Sequence, residues 1–226
     1  MHSPARALAA SLALFSGALS GLLLALVAVE VGPVVTFDRT VADGLHASAV
    51  RSPVLVRTSK VLTDWVWDPW TMRLLIAAAV VWLWTRGERA LAVWAALVSA
   101  VGTAVQQGLK ALVGRERPAW PDPVDSAHFA SFPSGHAMTA ALTVAVLLWL
   151  AARMGAAGTL WWAALGVGAV SVLGVGLTRL YLGVHWFSDV LAGWLTGLCC
   201  AAVAVLLYER WAARAARREE RVVSRR

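Results

Sequence analysis

Long apolar runs recur through this chain, each close to the ~20 residues that a helix needs to cross the hydrocarbon core of a bilayer. They can be drawn at about 7–29, 69–85, 90–113, 134–152, 159–178 and 186–208. Of the 226 residues, 59% are hydrophobic. A soluble domain of this length has no interior large enough to hide that share, so the bilayer is its solvent. In lipid, each run must satisfy its own backbone polar groups, which a helix does. The expected fold is all-α: a polytopic membrane protein with six transmembrane helices. Residues 1–208 form one membrane domain, followed by a basic tail, 209–226. Arg6 precedes the first run, which is longer than the apolar part of a cleaved signal and lacks a closing small-x-small site. It is read as a retained first membrane helix.

Residues 30–68 have another character. Phe37, Val41 and Leu45 recur every four residues among Asp38, Arg39, Asp43 and His46. This predicts a short amphipathic helix lying on the membrane surface. Ser52-Pro53 interrupts it, and Val54 to Leu62 forms a second such piece. Trp65, Trp67 and Trp70 mark an interfacial belt. The segment reads equally as a rim that guides a lipid or as a plain connector, and His46 reads as a surface residue. Residues 114–133 are a proline-broken loop. Asp122, Asp125 and His128 fall three apart there, but the prolines forbid the regular helix that would put them on one face, so no metal site is expected. Cys199 and Cys200 are neighbours on a helix and read as small packing residues rather than a disulfide.

The formal net charge is +7. The arginines gather at segment ends and in the tail (Arg210, Arg214, Arg217, Arg218, Arg221, Arg225 and Arg226), with Arg86 and Arg89 on the same side. This is a topology signal, and no aromatic-interleaved basic patch points to a nucleic acid partner. Both termini are expected in the cytoplasm, although Arg39, Arg51, Arg57 and Lys60 in the first outer loop pull the other way.

The chemistry sits at helix ends. Lys110 and Arg117 close the third helix, and Pro133-Ser134-Gly135-His136 opens the fourth. Thr178-Arg179 ends the fifth, and His185 and Asp189 open the sixth. Loops three-to-four and five-to-six are both odd-numbered connections, so all these groups face one side of the membrane. Lys110 and Arg117 are seven apart and share a helix face if the helix continues to Arg117, where Pro118 stops it. Arg115 and Glu116 are left as surface residues. A helix N-terminus attracts anions, Gly135 permits close backbone approach, and Ser134 adds a hydroxyl donor. His185 and Asp189 lie one turn apart, so the carboxylate can hold one ring nitrogen and leave the other free to attack phosphorus. His136 remains as a general acid for a leaving oxygen.

These residues resemble the phosphatidic acid phosphatase type 2 superfamily, which includes bacterial lipid and polyprenyl-diphosphate phosphatases. Lys110 to Pro118 matches the family's K-x6-R-P motif. Residues 133–136 match P-S-G-H, and Thr178 to Asp189 matches S-R-x5-H-x3-D with threonine for serine. The three motifs span a core at 110–189. The resemblance implies that His185 forms a phosphohistidine, that His136 protonates the departing oxygen and that Asp189 orients His185. It implies that Lys110, Arg117, Ser134, Gly135 and Arg179 hold the phosphoryl group, with no metal or other cofactor. The expected activity is a lipid phosphatase whose partners are the bilayer and a lipid phosphate, with its site on the extracytoplasmic face. Undecaprenyl diphosphate is the first substrate choice, and phosphatidylglycerophosphate or phosphatidate the next. A lipid phosphotransferase and a non-catalytic transporter or anionic-lipid binder are the competing readings.

Overall fold

The computed structural model describes residues 4–223, all helix or connection. The order is α1 (Pro4–Ala28), α2 (Gly32–Val50), α3 (Pro53–Val61), a π-helical turn (Leu62–Val66), α4 (Pro69–Thr85), α5 (Arg89–Val113), α6 (Gly135–Arg153), α7 (Gly158–Tyr181) and α8 (Phe187–Val223). Among the described residues, six helical segments are long and apolar enough to cross a membrane: α1, α3 through α4, and α5 to α8. The chain is a multi-pass membrane protein.

α6 and α8 are the most enclosed spans. Small residues let them approach closely: a methyl group on Gly197 would collide with the Met138 carbonyl oxygen and stand 3.0 Å from Ala141 Cβ. Between membrane helices, where the solvent is as apolar as the side chains, such close packing does most of the work of association. Leu83, Leu91, Ala92, Leu142, Val146, Leu150 and Tyr208 fill the core between α4, α5, α6 and α8. α1 packs along the opposite flank of α8, where Ser20 and Thr196 share a hydrogen bond of 2.7 Å.

Several expectations change. The apolar piece expected at 54–62 joins the second span through the π-helical turn, whose Thr63 is fully buried. Trp65 and Trp70 are exposed as belt residues should be, whereas Trp67 is buried and covers Gly174 of α7. α2 is more than a raft on the membrane surface. Its buried positions are Asp38, Ala42, His46 and Ala49, while Phe37 is half-exposed. The stripe beside the expected apolar one therefore faces the protein. The last helix runs through Tyr208 without a break and continues to Val223. At 1.5 Å per residue its 37 residues extend ~55 Å, well beyond a ~30 Å hydrocarbon core. Arg225 and Arg226 lie outside the described residues, as do the side chains of Arg218 and Arg221.

The α6–α8 seam yields a paired expectation. Gly197→Val should lower the thermal midpoint in detergent by an overpacking cost of ~1–3 kcal/mol. Gly108→Ala, at an exposed position on α5 with nothing within 4 Å of an added methyl, should stay at or slightly above wild type. Fluorescence-detected thermal unfolding of the two variants checks both.

Candidate active site

Residues from α4 to α8 converge at the end of the bundle opposite Arg86, Arg89 and Arg153. A cavity of about 360 Å³ is lined there by Lys110, Arg117, Gly135, His136, Arg179 and His185, together with Asp68, Arg73 and Gln106. Ser134 is fully buried beside it at the entrance to α6, and Asp189 lies behind His185. The helix ends named from spacing alone thus meet on one face.

Two backbone features bring them together. The Ser134 N–H donates to the Asp189 carbonyl at 2.9 Å, tying the start of α6 to the first turn of α8. The turn into His185 runs through Gly183, whose φ of +67° lies in the left-handed region that glycine tolerates. Trp120 sits over it and donates its indole N–H to the Gly183 carbonyl at 2.9 Å. A side chain at residue 183 would meet both a strained backbone and the Trp120 ring.

His185 is held at both nitrogens. Its Nε2 lies 3.1 Å from an Arg117 Nη, and its Nδ1 lies 3.3 Å from Asp189 Oδ2. A guanidinium can only donate, so Nε2 is the acceptor and Nδ1 carries the proton. The ring therefore presents a lone pair at Nε2 toward the cavity. Burial depresses its pKa well below the ordinary histidine value, reinforced by the positive charges of Arg117, Arg179 and Lys110. These surroundings favour the neutral form of His185, the form in which an imidazole could act as a nucleophile.

Arg117 does not reach this position by the expected route. α5 ends at Val113, because Gly114 adopts a left-handed φ of +61° and its N–H donates back to the Lys110 carbonyl. The helix therefore stops before Arg117, and the seven-residue spacing has no helical meaning. Arg117 is instead pinned by loop carbonyls: Nη1 donates to Val184 at 2.6 Å, Nη2 to His128 at 3.1 Å and Nε to Phe129 at 3.0 Å. Lys110, still on the helix, donates to the Ala130 carbonyl. Burial lowers the Arg117 pKa, with the Asp189 charge opposing. Arg179 Nε and Ser134 Oγ are buried groups without a hydrogen-bond partner. Buried polar groups are normally paired, and an anion in the cavity would supply acceptors for such donors. His136 has its Nε2 3.7 Å from Asp68 Oδ2. Asp68 also caps α4, accepting the Trp70 N–H at 2.7 Å.

Sequence spacing missed a second layer. Arg115 is no surface residue: one Nη donates to Asp189 Oδ1 at 2.6 Å and to Ser188 Oγ at 2.8 Å, and the other to Asp38 Oδ2 at 2.8 Å. Asp38, on α2 and almost fully buried, also accepts the Ser188 N–H at 2.9 Å and hydroxyl at 2.5 Å. Asp189 is thus gripped by Arg115 at one oxygen, and by the Trp186 N–H and His185 at the other. The signal was an arginine two residues before the motif arginine and an aspartate within an apolar stripe; neither has a fixed spacing to the motifs. Glu116 is exposed, as expected. His46 is not on the surface: it is buried, stacked on Trp120 at 4.0 Å between centroids, and bonded through Nε2 to Asp122 Oδ1 at 3.0 Å. That bond holds the Asp122 carboxyl below its ordinary pKa. Asp125 pairs with Lys60 at 3.4 Å, so the three-residue series Asp122, Asp125, His128 is drawn to separate partners. Among the described residues no group of three metal-ligating side chains comes together.

Residues 90–213, more than half of the chain, match the family model of the PAP2 superfamily. The chain belongs to the PAP2 superfamily. A solved structure with a TM-score of 0.77 is that of a transmembrane PAP2-type phosphatidylglycerolphosphate phosphatase from Bacillus subtilis; it is 23% identical and covers 88% of this chain and 96% of its own. That likeness establishes a shared fold. Two curated relatives are each 37% identical over part of the chain. One is an undecaprenyl-diphosphatase from Sulfolobus acidocaldarius, matched over 30% of this chain and 28% of its own length. The other is phosphatidylglycerophosphatase B from Bacillus subtilis, matched over 40% and 44%. The chain thus spans less than half the length of either curated relative.

Two outcomes follow from this PAP2 site. Arg115→Met leaves buried Asp38 and Asp189 without their common cation. Breaking a buried pair in this way typically costs ~3–5 kcal/mol, so the variant should unfold at lower temperature in detergent. The folded-state pKa of His185 lies below its unfolded value, so the unfolded chain binds the extra proton and stability falls as pH drops below ~6.5. His185→Asn removes that contribution. Its thermal midpoint should decline less steeply than wild type between pH 7 and pH 5.

Proposed function

We propose that this protein is a metal-independent membrane lipid phosphatase working through a phosphohistidine on His185. One observation carries the reading: a buried, neutral His185, with its Nε2 lone pair facing a cavity that Lys110, Arg117, Arg179 and His136 also line.

A phosphoryl group in the cavity takes its hydrogen bonds from Arg117, Arg179, Lys110 and Ser134. Arg117 turns from Nε2 to a phosphate oxygen, which frees the lone pair. Nε2 attacks phosphorus, and the P–O bond to the lipid breaks as His136, which enters the step as an imidazolium with the bound phosphate and Asp68 as counter-charges, transfers its proton to the departing oxygen. The positive charge that develops on His185 is stabilised by Asp189, which Arg115 and the Trp186 N–H hold in place. Neutral His136 then takes a proton from water, the resulting hydroxide displaces His185 from phosphorus, and inorganic phosphate leaves. Phosphoryl transfer rests mainly on positioning and charge stabilisation, so fixed cations serve where other enzymes use magnesium. General acid catalysis by His136 is worth ~10²–10⁴-fold.

Among substrates we favour a polyprenyl diphosphate such as undecaprenyl diphosphate, supported by the partial likeness to an undecaprenyl-diphosphatase. Phosphatidylglycerophosphate is the second reading, favoured by the names of the two Bacillus relatives. The arginines at the far end of the bundle, Arg86, Arg89, Arg210, Arg214 and Arg217, support cytoplasmic termini and an extracytoplasmic site.

Purified in detergent with a chelator present, the protein should release inorganic phosphate from one or more of these lipids. His185→Ala should abolish release yet still retain the lipid, and His136→Ala should slow it at least a hundredfold. Release that stops on chelation and returns only with magnesium would overturn the mechanism. Phosphate appearing on another lipid's hydroxyl, rather than in solution, would make the protein a phosphotransferase.

A further inference from the structure

A groove runs between α5 and α8 at the end of the bundle far from the active site. Its mouth is a cavity of about 430 Å³ framed by Trp84, Arg89, Val93, Trp94, Tyr208 and Trp211. A second cavity of about 260 Å³ adjoins it at Trp94, which lines both; Leu97, Val101, Val203 and Leu207 line its walls, and it reaches Gly102. From Ala90 to Gly102 the groove follows α5 for ~18 Å. One leaflet's hydrocarbon is ~15 Å deep, so the groove spans a single leaflet, from its interface to the bilayer centre. The inner part is apolar, and the charge is confined to the mouth.

The mouth holds donors without acceptors. Trp94 Nε1 is buried and has no hydrogen-bond partner among the described residues. An unpaired buried N–H is costly and rare. Among the described residues Arg89 joins no ion pair, and its guanidinium lies 5.6 Å from the centroid of the Trp84 ring. α8 adds further charge. Leu207 and Trp211 present one helix face to the groove, and Arg210 and Arg214, both exposed, flank Trp211 on that face. The neighbouring carboxylates do not cancel it: Glu209 is paired with Arg153 at 2.8 Å, and Glu88 does not line the cavity.

We infer that this groove binds an anionic glycerophospholipid from the leaflet opposite the active site. One acyl chain lies between α5 and α8, the phosphate meets Arg89, and an ester or phosphate oxygen accepts the Trp94 N–H. A zwitterionic lipid offers the same chain and oxygens, but its cationic group meets the field of Arg89, Arg210 and Arg214. A second copy of this chain, related by a two-fold axis along the bilayer normal, would bring the same three arginines to the same end and leave them without counter-charge. The site stands apart from the catalytic cavity and does not depend on the phosphatase reading.

Native mass spectrometry of the full chain released from detergent reads the site, with phosphatidylglycerol or phosphatidylcholine of identical chains supplied. Wild type should retain one phosphatidylglycerol at least ~fivefold more tightly than phosphatidylcholine. Arg89→Gln should weaken that retention roughly tenfold, as loss of a charge-assisted hydrogen bond does, and Arg89→Lys should restore part of it. Trp94→Phe should weaken both lipids, since both offer the oxygen its N–H needs. Arg86→Gln removes the same charge at the same end but outside the groove, and should change retention by less than about twofold. Arg89 is exposed, so Arg89→Gln keeps the fold and decides the matter even if Trp94→Phe does not fold. Equal retention of the two lipids, or equal losses in Arg86→Gln and Arg89→Gln, would reduce the groove to ordinary bilayer contact and overturn the site. A lipid-free dimer that Leu97→Ser disperses would make the groove an interface between copies, and would overturn it as well.

Discussion

A charged carboxylate with no access to water has to be held from every side, and Asp189 is the group around which this protein arranges itself. It sits fully buried at the start of α8. Arg115 holds one oxygen, while the Trp186 N–H and His185 hold the other. Its own carbonyl accepts the Ser134 N–H from the start of α6. One residue thus joins two helix ends, the loop after α5 and, through Arg115, the surface helix α2. Removing Arg115 strands charge in a medium that solvates it poorly, so the parts hold one another in register.

The same constraint bears on how the cluster of cations is held. Arg117 and Lys110 are satisfied by loop carbonyls, which are neutral and easily exchanged for an anion's oxygens. Burial, reinforced by the positive charge, suppresses protonation of His185 and keeps its lone pair available. A ring of aspartates would have made a more stable resting site and a poorer one for phosphate. Of the acidic groups, Asp38 and Asp189 are turned to Arg115, away from the cavity, while Asp68 lines it beside His136.

The membrane spans were legible because hydrophobic length is a local property: the bilayer demands it of each segment independently. The motif residues were legible because they sit at span ends, where topology alone brings odd-numbered loops together. What escaped was what depends on three dimensions. Arg115 looked idle because its partners lie about 75 residues away in both directions. His46 looked exposed because the ring that stacks on it, Trp120, belongs to a distant loop. The route of Arg117 was misjudged because Gly114 ended the helix before proline could. Glycine is a visible stop signal there, and it overrides the seven-residue spacing.

By itself the sequence determined six spans, the meeting of the reactive groups on one common side, and the family, since periodicity, length and motif order are carried along one dimension. Tertiary structure decided which nitrogen of His185 carries the proton, which cation supports Asp189 and how α2 enters the site. Those choices turn on distances between residues far apart in the chain, and on burial that strengthens charge interactions only after the helices have packed.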